Sequence, residues 1–144
     1  MAQHAGKGRF EKIDHIGVAV KDSALAAKTY ASLGFDVQGP EVVESEGVKI
    51  YFAHVSESSI ELLEPTRADS PIAKFLEKRG EGMHHVAFMV DDIEKAVAEA
   101  GGEPVTLGGV RMGSRGMRVV FIHPKNCHGV LIEFVQRVGG QHVR

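Results

Sequence analysis

Asp14-His15-Ile16-Gly17-Val18-Ala19-Val20 is matched, 70 positions on, by His84-His85-Val86-Ala87-Phe88-Met89-Val90. Each is a short, β-branched, apolar run with a histidine in second place, and both read as strands. Recurrence at one fixed offset marks a duplicated unit. Each run leads into an acidic helix start, Asp22-Ser23 and then Asp91-Asp92. The second helix carries Ile93, Ala96, Val97 and Ala100 along one side, with Gly101 to close it. The first carries Leu25, Ala26, Tyr30 and Leu33 before Gly34. Three β-like runs follow each helix: Phe35 to Val43, Val48 to Ala53 and Ser59 to Leu63, then Glu103 to Leu107, Arg118 to His123 and Val130 to Gln136. Both halves therefore read βαβββ, with modules at about 12–65 and 83–137. Between them Ser70-Pro71 opens a helical connector at about 69–80, with serine as N-cap and proline at the first helical position. One such unit has too little core to stand alone. The expected fold class is α+β, a single domain over 1–144 in which two tandem modules form a curled mixed sheet around a shared cleft.

The last strand of each half repeats as well. Ile60-Glu61-Leu62-Leu63 matches Ile132-Glu133-Phe134-Val135 at an offset of 72. Each half thus supplies one histidine on its first strand and one glutamate on its last, the glutamate embedded in apolar sequence where an unpaired charge is costly. Strand alternation puts His15 with Gly17 and Ala19, and His85 with Ala87 and Met89. Those faces carry mostly small residues and leave room for a ligand, so the opposite faces are expected to supply the core. Two imidazoles and two carboxylates facing one cleft are best neutralised by a cation. His15, Glu61, His85 and Glu133 are accordingly the candidate metal ligands. His54, His84, His123, His128 and His142 have no place in this pattern and read as structural or surface residues; alternation turns His84 away from His85.

Composition narrows the function classes. Lys plus Arg number 17 against 19 Asp plus Glu, for a formal charge of -2, so neither nucleic acid nor an anionic membrane surface has an electrostatic footprint here. A single cysteine, Cys127, excludes an internal disulfide or a CxxC site. No apolar run approaches the roughly 20 residues that span a bilayer, and a cytoplasmic protein is expected. The residues to about Arg9 and from Val138 are expected to be disordered.

These motifs resemble the methylmalonyl-CoA epimerase family of the vicinal oxygen chelate, or glyoxalase-like, superfamily from about Lys12 to Gln136. The resemblance is carried also by Glu61-Leu62-Leu63-Glu64-Pro65, Asp69-Ser70-Pro71-Ile72, Gly80-Glu81-Gly82-Met83-His84-His85 and His123-Pro124-Lys125. It implies an isomerase that interconverts the (2R) and (2S) forms of methylmalonyl-CoA in propionate metabolism. The C2 proton would be removed through an enolate stabilised by one divalent ion, Co, Mn, Ni or Zn. It also implies an acyl-CoA substrate and a homodimer. The family's second acid–base glutamate falls here at Ile50. Relatives that carry it tend to have Gln where Glu61 stands, so Glu61 and Glu133 are the expected catalytic proton carriers. The Gly108–Gly116 stretch is expected to form a flexible lid, with Ser114, Arg115, Gly116 and Lys125 as substrate contacts and Arg111 beside them. Two alternatives stay open: a lactoylglutathione lyase (glyoxalase I)-type isomerase, and a non-catalytic ligand-binding protein of the same fold. An extradiol dioxygenase fits less well, because its iron takes two histidines and one carboxylate.

Overall fold

The computed structural model describes residues 10–139. Of the segments expected to be disordered, only Val138 and Gly139 fall within that range; His142 lies outside it. The first half runs β1 (Phe10–Ala19), α1 (Ser23–Ser32), β2 (Asp36–Val43), β3 (Val48–Val55) and β4 (Ser58–Pro65). Helix α2 (Pro71–Arg79) leads to the second half, β5 (Gly82–Val90), α3 (Ile93–Ala100), β6 (Thr106–Met112), β7 (Arg118–Ile122) and β8 (Ile132–Gln136). Side-chain caps begin all three helices: Asp22 accepts from the Leu25 amide, Ser70 from Ile72 and Asp92 from Lys95.

The eight strands make one mixed sheet in the order β2-β3-β4-β1-β5-β8-β7-β6. This order is symmetric about its middle. Strands β1 and β5 pair antiparallel, while each pairs in parallel with the last strand of its own module, β4 or β8. The two modules therefore meet along β1 and β5, and the four strands that carry the candidate ligands are contiguous.

The structure departs from the sequence reading in two places. Glu103–Val105 is a 3-10 turn rather than the start of a strand, because Pro104 offers no amide to a ladder. Strand β6 instead runs on through Gly108 and Gly109, whose φ of 82° and 75° accommodate extra residues between the Leu107↔Phe121 and Arg111↔Val119 pairs. The core also lies on both faces. One buried cluster, with Val90, Ile93, Ala96, Val120 and Phe134, sits beneath α3. Two others, around Ala19, Ile50, Leu63 and Ile72 and around Ala87, Met89, Val119 and Val135, lie on the histidine face. Curling brings side chains together on the inner face and spreads them on the outer, so Ile16 and Val18 are only half-buried.

One polar contact recurs in both modules. Glu64 Oε1 accepts from the amide and hydroxyl of the fully buried Ser23, at 2.9 and 2.7 Å, and Gln136 Oε1 accepts from the Ile93 amide at 2.8 Å. In each case a residue three beyond the site glutamate fixes the start of the module's helix. Glu64→Ala leaves two buried donors of Ser23 without this partner, and the expected loss is about 1–3 kcal/mol in urea unfolding; Gln136→Ala is expected to cost less.

Candidate metal centre and active site

The pairing register aligns the site residues in two rows. Gly17 on β1 lies between Glu61 of β4 and His85 of β5. Ala87 on β5 lies between His15 of β1 and Glu133 of β8. Each row is glutamate, small residue, histidine, and the module repeat exchanges the two. At Gly17 the small residue is required. A Cβ at Gly17 would stand 2.2 Å from Cε1 of the His85 ring, with no positive φ involved, so glycine is needed here for space alone.

The rows form the floor of a cavity of about 320 Å³, which His15, His85, Glu61 and Glu133 line together with Ile50, Leu63, Val119, Phe121 and Val135. All four candidate ligands are buried. His15 Nε2, His85 Nε2 and Glu133 Oε1 lie 3.0 Å from one another. Donors set at right angles about 2.1 Å from an ion stand about 3 Å apart, so this spacing fits a metal site. Glu61 approaches the same histidine from the other side, with Oε2 3.3 Å from His15 Nδ1. Glu61 Oε2 and Glu133 Oε1 are both buried without a well-directed hydrogen bond. Such oxygens beside an imidazole suit a cation, but the ligand atoms fall into two groups, His15 with His85 and Glu133 on the Nε2 side and His15 with Glu61 and Asp14 on the Nδ1 side, so Glu61 does not meet the other three at one point.

Burial opposes charge on His15, but Glu61, Asp14 and Glu133 outweigh it and raise the imidazole to about 10. Burial likewise works against the Glu133 carboxylate, yet His15 and His85 hold it down to about 2. For Glu61 burial prevails over His15 and Arg115, and its carboxyl is pushed up.

Two residues next to the ligands belong to the site although alternation would turn them away. Asp14, fully buried, accepts from His15 Nδ1 at 2.8 Å. His84 places its Nδ1 2.9 Å from His85 Nδ1, packs edge-on against Phe75, and lines the cavity. The reason is the same in both cases. The β1–β5 register slips by one residue between Ile13 and His15, leaving Asp14 extra, and again between His85 and Met83, leaving His84 extra. A β-bulge brings consecutive side chains toward one face, and this overturns the expectation that His84 points away. The sequence held a signal for the pair, since 14 and 84 are themselves repeat-equivalent.

The glycine-rich segment is tied across the cleft. Arg111 pairs with Glu46 at 2.7 Å, the Arg115 amide reaches Glu41, and the Arg115 guanidinium pairs with Asp14 at 2.5 Å and approaches Glu61 at 3.6 Å. Of the expected substrate contacts, Ser114 and Arg115 line the cavity; Gly116 does not, and Lys125 is exposed beyond it. Ile50 is 3% exposed in apolar surroundings and offers nothing to a proton.

The chain matches the glyoxalase/bleomycin resistance protein/dioxygenase superfamily over residues 14–121. It is 38% identical to an ethylmalonyl-CoA/methylmalonyl-CoA epimerase of Cereibacter sphaeroides over 130 residues, 87% of this chain and 97% of that protein. Its fold superposes on a Streptomyces coelicolor methylmalonyl-CoA epimerase variant in complex with 2-nitronate-propionyl-CoA. The TM-score is 0.82 at 41% identity, over 90% of this chain and 99% of the other. A methylmalonyl-CoA epimerase in complex with methylmalonyl-CoA and NH4+ gives the same TM-score and identity, over 90% and 96% of the two chains.

Two outcomes are expected of the site. Gly17→Ala displaces the His85 ring and lowers divalent-ion affinity by about tenfold or more, read by competition with a chromogenic chelator. A ligating histidine must be neutral, and in the metal-free chain His15 keeps its proton up to about pH 10. Loading an ion at pH 8 should therefore release at least one proton, seen as a calorimetric enthalpy that changes with the buffer's ionisation heat; this release shrinks as the pH rises through 10.

Proposed function

The chain belongs to the glyoxalase/bleomycin resistance protein/dioxygenase superfamily and, within it, to the methylmalonyl-CoA epimerase family, and we propose that it interconverts the two C2 epimers of methylmalonyl-CoA. The observation that carries this reading is the pair of glutamates, one from each module, placed by the repeat on either side of two histidines in one apolar cavity. His15, Glu61, His85 and Glu133 would hold one divalent ion. When bound, the ion supplies a Lewis acid for the charge that develops on the thioester oxygen as the C2 proton leaves. Two imidazoles and two carboxylates form a donor set that would suit Co²⁺, Mn²⁺, Ni²⁺ or Zn²⁺.

The chain's own part is proton transfer and exclusion of water. Inversion at C2 needs a base on one face of the planar carbanion and an acid on the other. Ile50 supplies neither. Glu133 and Glu61, exchanged by the module repeat, are the two carriers; ligation lowers a carboxylate's basicity, so each would have to leave the ion or bind it weakly while it carries the proton. Ile50, Leu63, Val119 and Val135 keep water from the intermediate. Ser114 and Arg115, which line the cavity, are assigned to the malonyl carboxylate, and Lys125, exposed and outside the cavity, to the CoA chain. A homodimer is part of the proposal, supported by the exposed Phe10, Ile13 and Met83 on the paired central strands. The single unbridged Cys127 suits a cytoplasmic setting.

The test is C2 proton-to-deuterium exchange followed by NMR. Metal-loaded protein should exchange and epimerise methylmalonyl-CoA, and chelated protein should do neither. In Glu61→Gln, interconversion is expected to fall about a hundredfold or more, while exchange into one epimer persists through Glu133. Full interconversion by this variant would overturn the role given to Glu61.

A further inference from the structure

Asp14 and His84 each stand one residue before a histidine of the site, at repeat-equivalent positions, and each touches that histidine through its outer nitrogen, Nδ1. The inner nitrogens, Nε2 of His15 and His85, face one another and Glu133. An imidazole that gives its Nε2 lone pair to an ion carries its remaining proton on Nδ1, and that proton needs an acceptor. For His15 the nearer acceptor is the carboxylate of Asp14 at 2.8 Å, ahead of Glu61 at 3.3 Å, and Asp14 is itself held by Arg115 from the far side of the cleft. For His85 it is the His84 ring, supported edge-on by Phe75. Neither contact would exist in a regular strand, because consecutive side chains leave opposite faces. Two of the three register shifts in the β1–β5 seam, those at Asp14 and at His84, create both.

We propose that Asp14 and His84 are the positioning residues of the metal site, each accepting the Nδ1 proton of the following histidine so that both Nε2 atoms point into the cavity. They are unequal acceptors. Asp14 is a buried anion and adds electron density to His15, whereas His84 is a ring that must present a bare Nδ1 and so must be neutral. An ion held between them would be bound more strongly by His15 than by His85, which breaks the chemical symmetry of a site whose ligands are otherwise exchanged by the repeat.

This inference rests on the proposed metal site, and its test separates the two. Co²⁺ affinity is measured by chelator competition, and the visible d–d spectrum recorded, for the parent chain, Asp14→Asn, Asp14→Ala, His84→Phe and His84→Gln. Failure of the parent to bind Co²⁺ would remove the metal site itself. With binding in the parent, His84→Phe keeps a ring against Phe75 but offers no acceptor, and a loss of about ten- to a hundredfold with a shifted spectrum is expected. His84→Gln, whose side-chain oxygen can accept, should recover part of it. Asp14→Ala is expected to cost more than His84→Phe, and Asp14→Asn to fall between Asp14→Ala and the parent. In the Zn²⁺-loaded parent, proton NMR should show two slowly exchanging imidazole N–H resonances, one of which His84→Phe removes. Parent-like affinity and spectrum in both Asp14→Ala and His84→Phe would overturn the proposal. Should Asp14→Ala fail to fold, the His84 variants and the N–H resonances still decide it, since a merely structural His84 would leave both unchanged.

Discussion

The antiparallel pairing of β1 with β5 is the constraint on which the rest depends. Among the described residues it is the only place where the two halves share a ladder, and it sets His15 opposite Ala87 and His85 opposite Gly17. Because each central strand also pairs in parallel with the last strand of its own module, the glutamates arrive one strand further out at the same levels. A slip of one residue would send each histidine to the outer face. The apolar alternation of two buried strands resists that slip, and so do the bulges, which pin the register where they occur.

The arrangement concentrates buried charge. Asp14, Glu61 and Glu133 lie within a few ångströms of His15, with Arg115 and, at 3.9 Å from Asp14, Lys12 as the permanent counter-charges close by. A buried carboxylate without a cation is expensive, and the metal-free chain meets this by keeping His15 protonated and Glu61 pushed toward neutrality. The same groups that destabilise the empty cluster are those an ion would satisfy. The tie from Arg115 to Asp14 makes the glycine-rich turn part of this balance, so the turn is held down where the sequence suggested a free lid.

The fold class was legible because duplication left its mark twice, in the histidine strands and in the glutamate strands, and two independent offsets agreeing within two residues leave little freedom in how the halves correspond. The helix caps were legible too, since Asp22, Ser70 and Asp92 act through local geometry. What escaped was whatever depends on register. Alternation assumes regular strands, and the bulges at Asp14 and His84 exist only against the partner strand. Gly17 was read as a small residue leaving space, yet the His85 ring fills that space. The Glu64–Ser23 contact joins residues 41 apart, and nothing local announces it. The position of Ile50 was legible as a departure; that Ile50 packs into a core cluster, closing off a carboxylate there, needed coordinates.

The division of the four site residues between modules has a thermodynamic corollary. An ion gripped from both sides of the seam, as proposed, would recognise only the fully assembled chain, so its binding would add to the unfolding free energy roughly as the logarithm of its concentration over its dissociation constant. Neither half alone could retain it. Scarcity of the ion would then loosen the whole fold as well as idle the site.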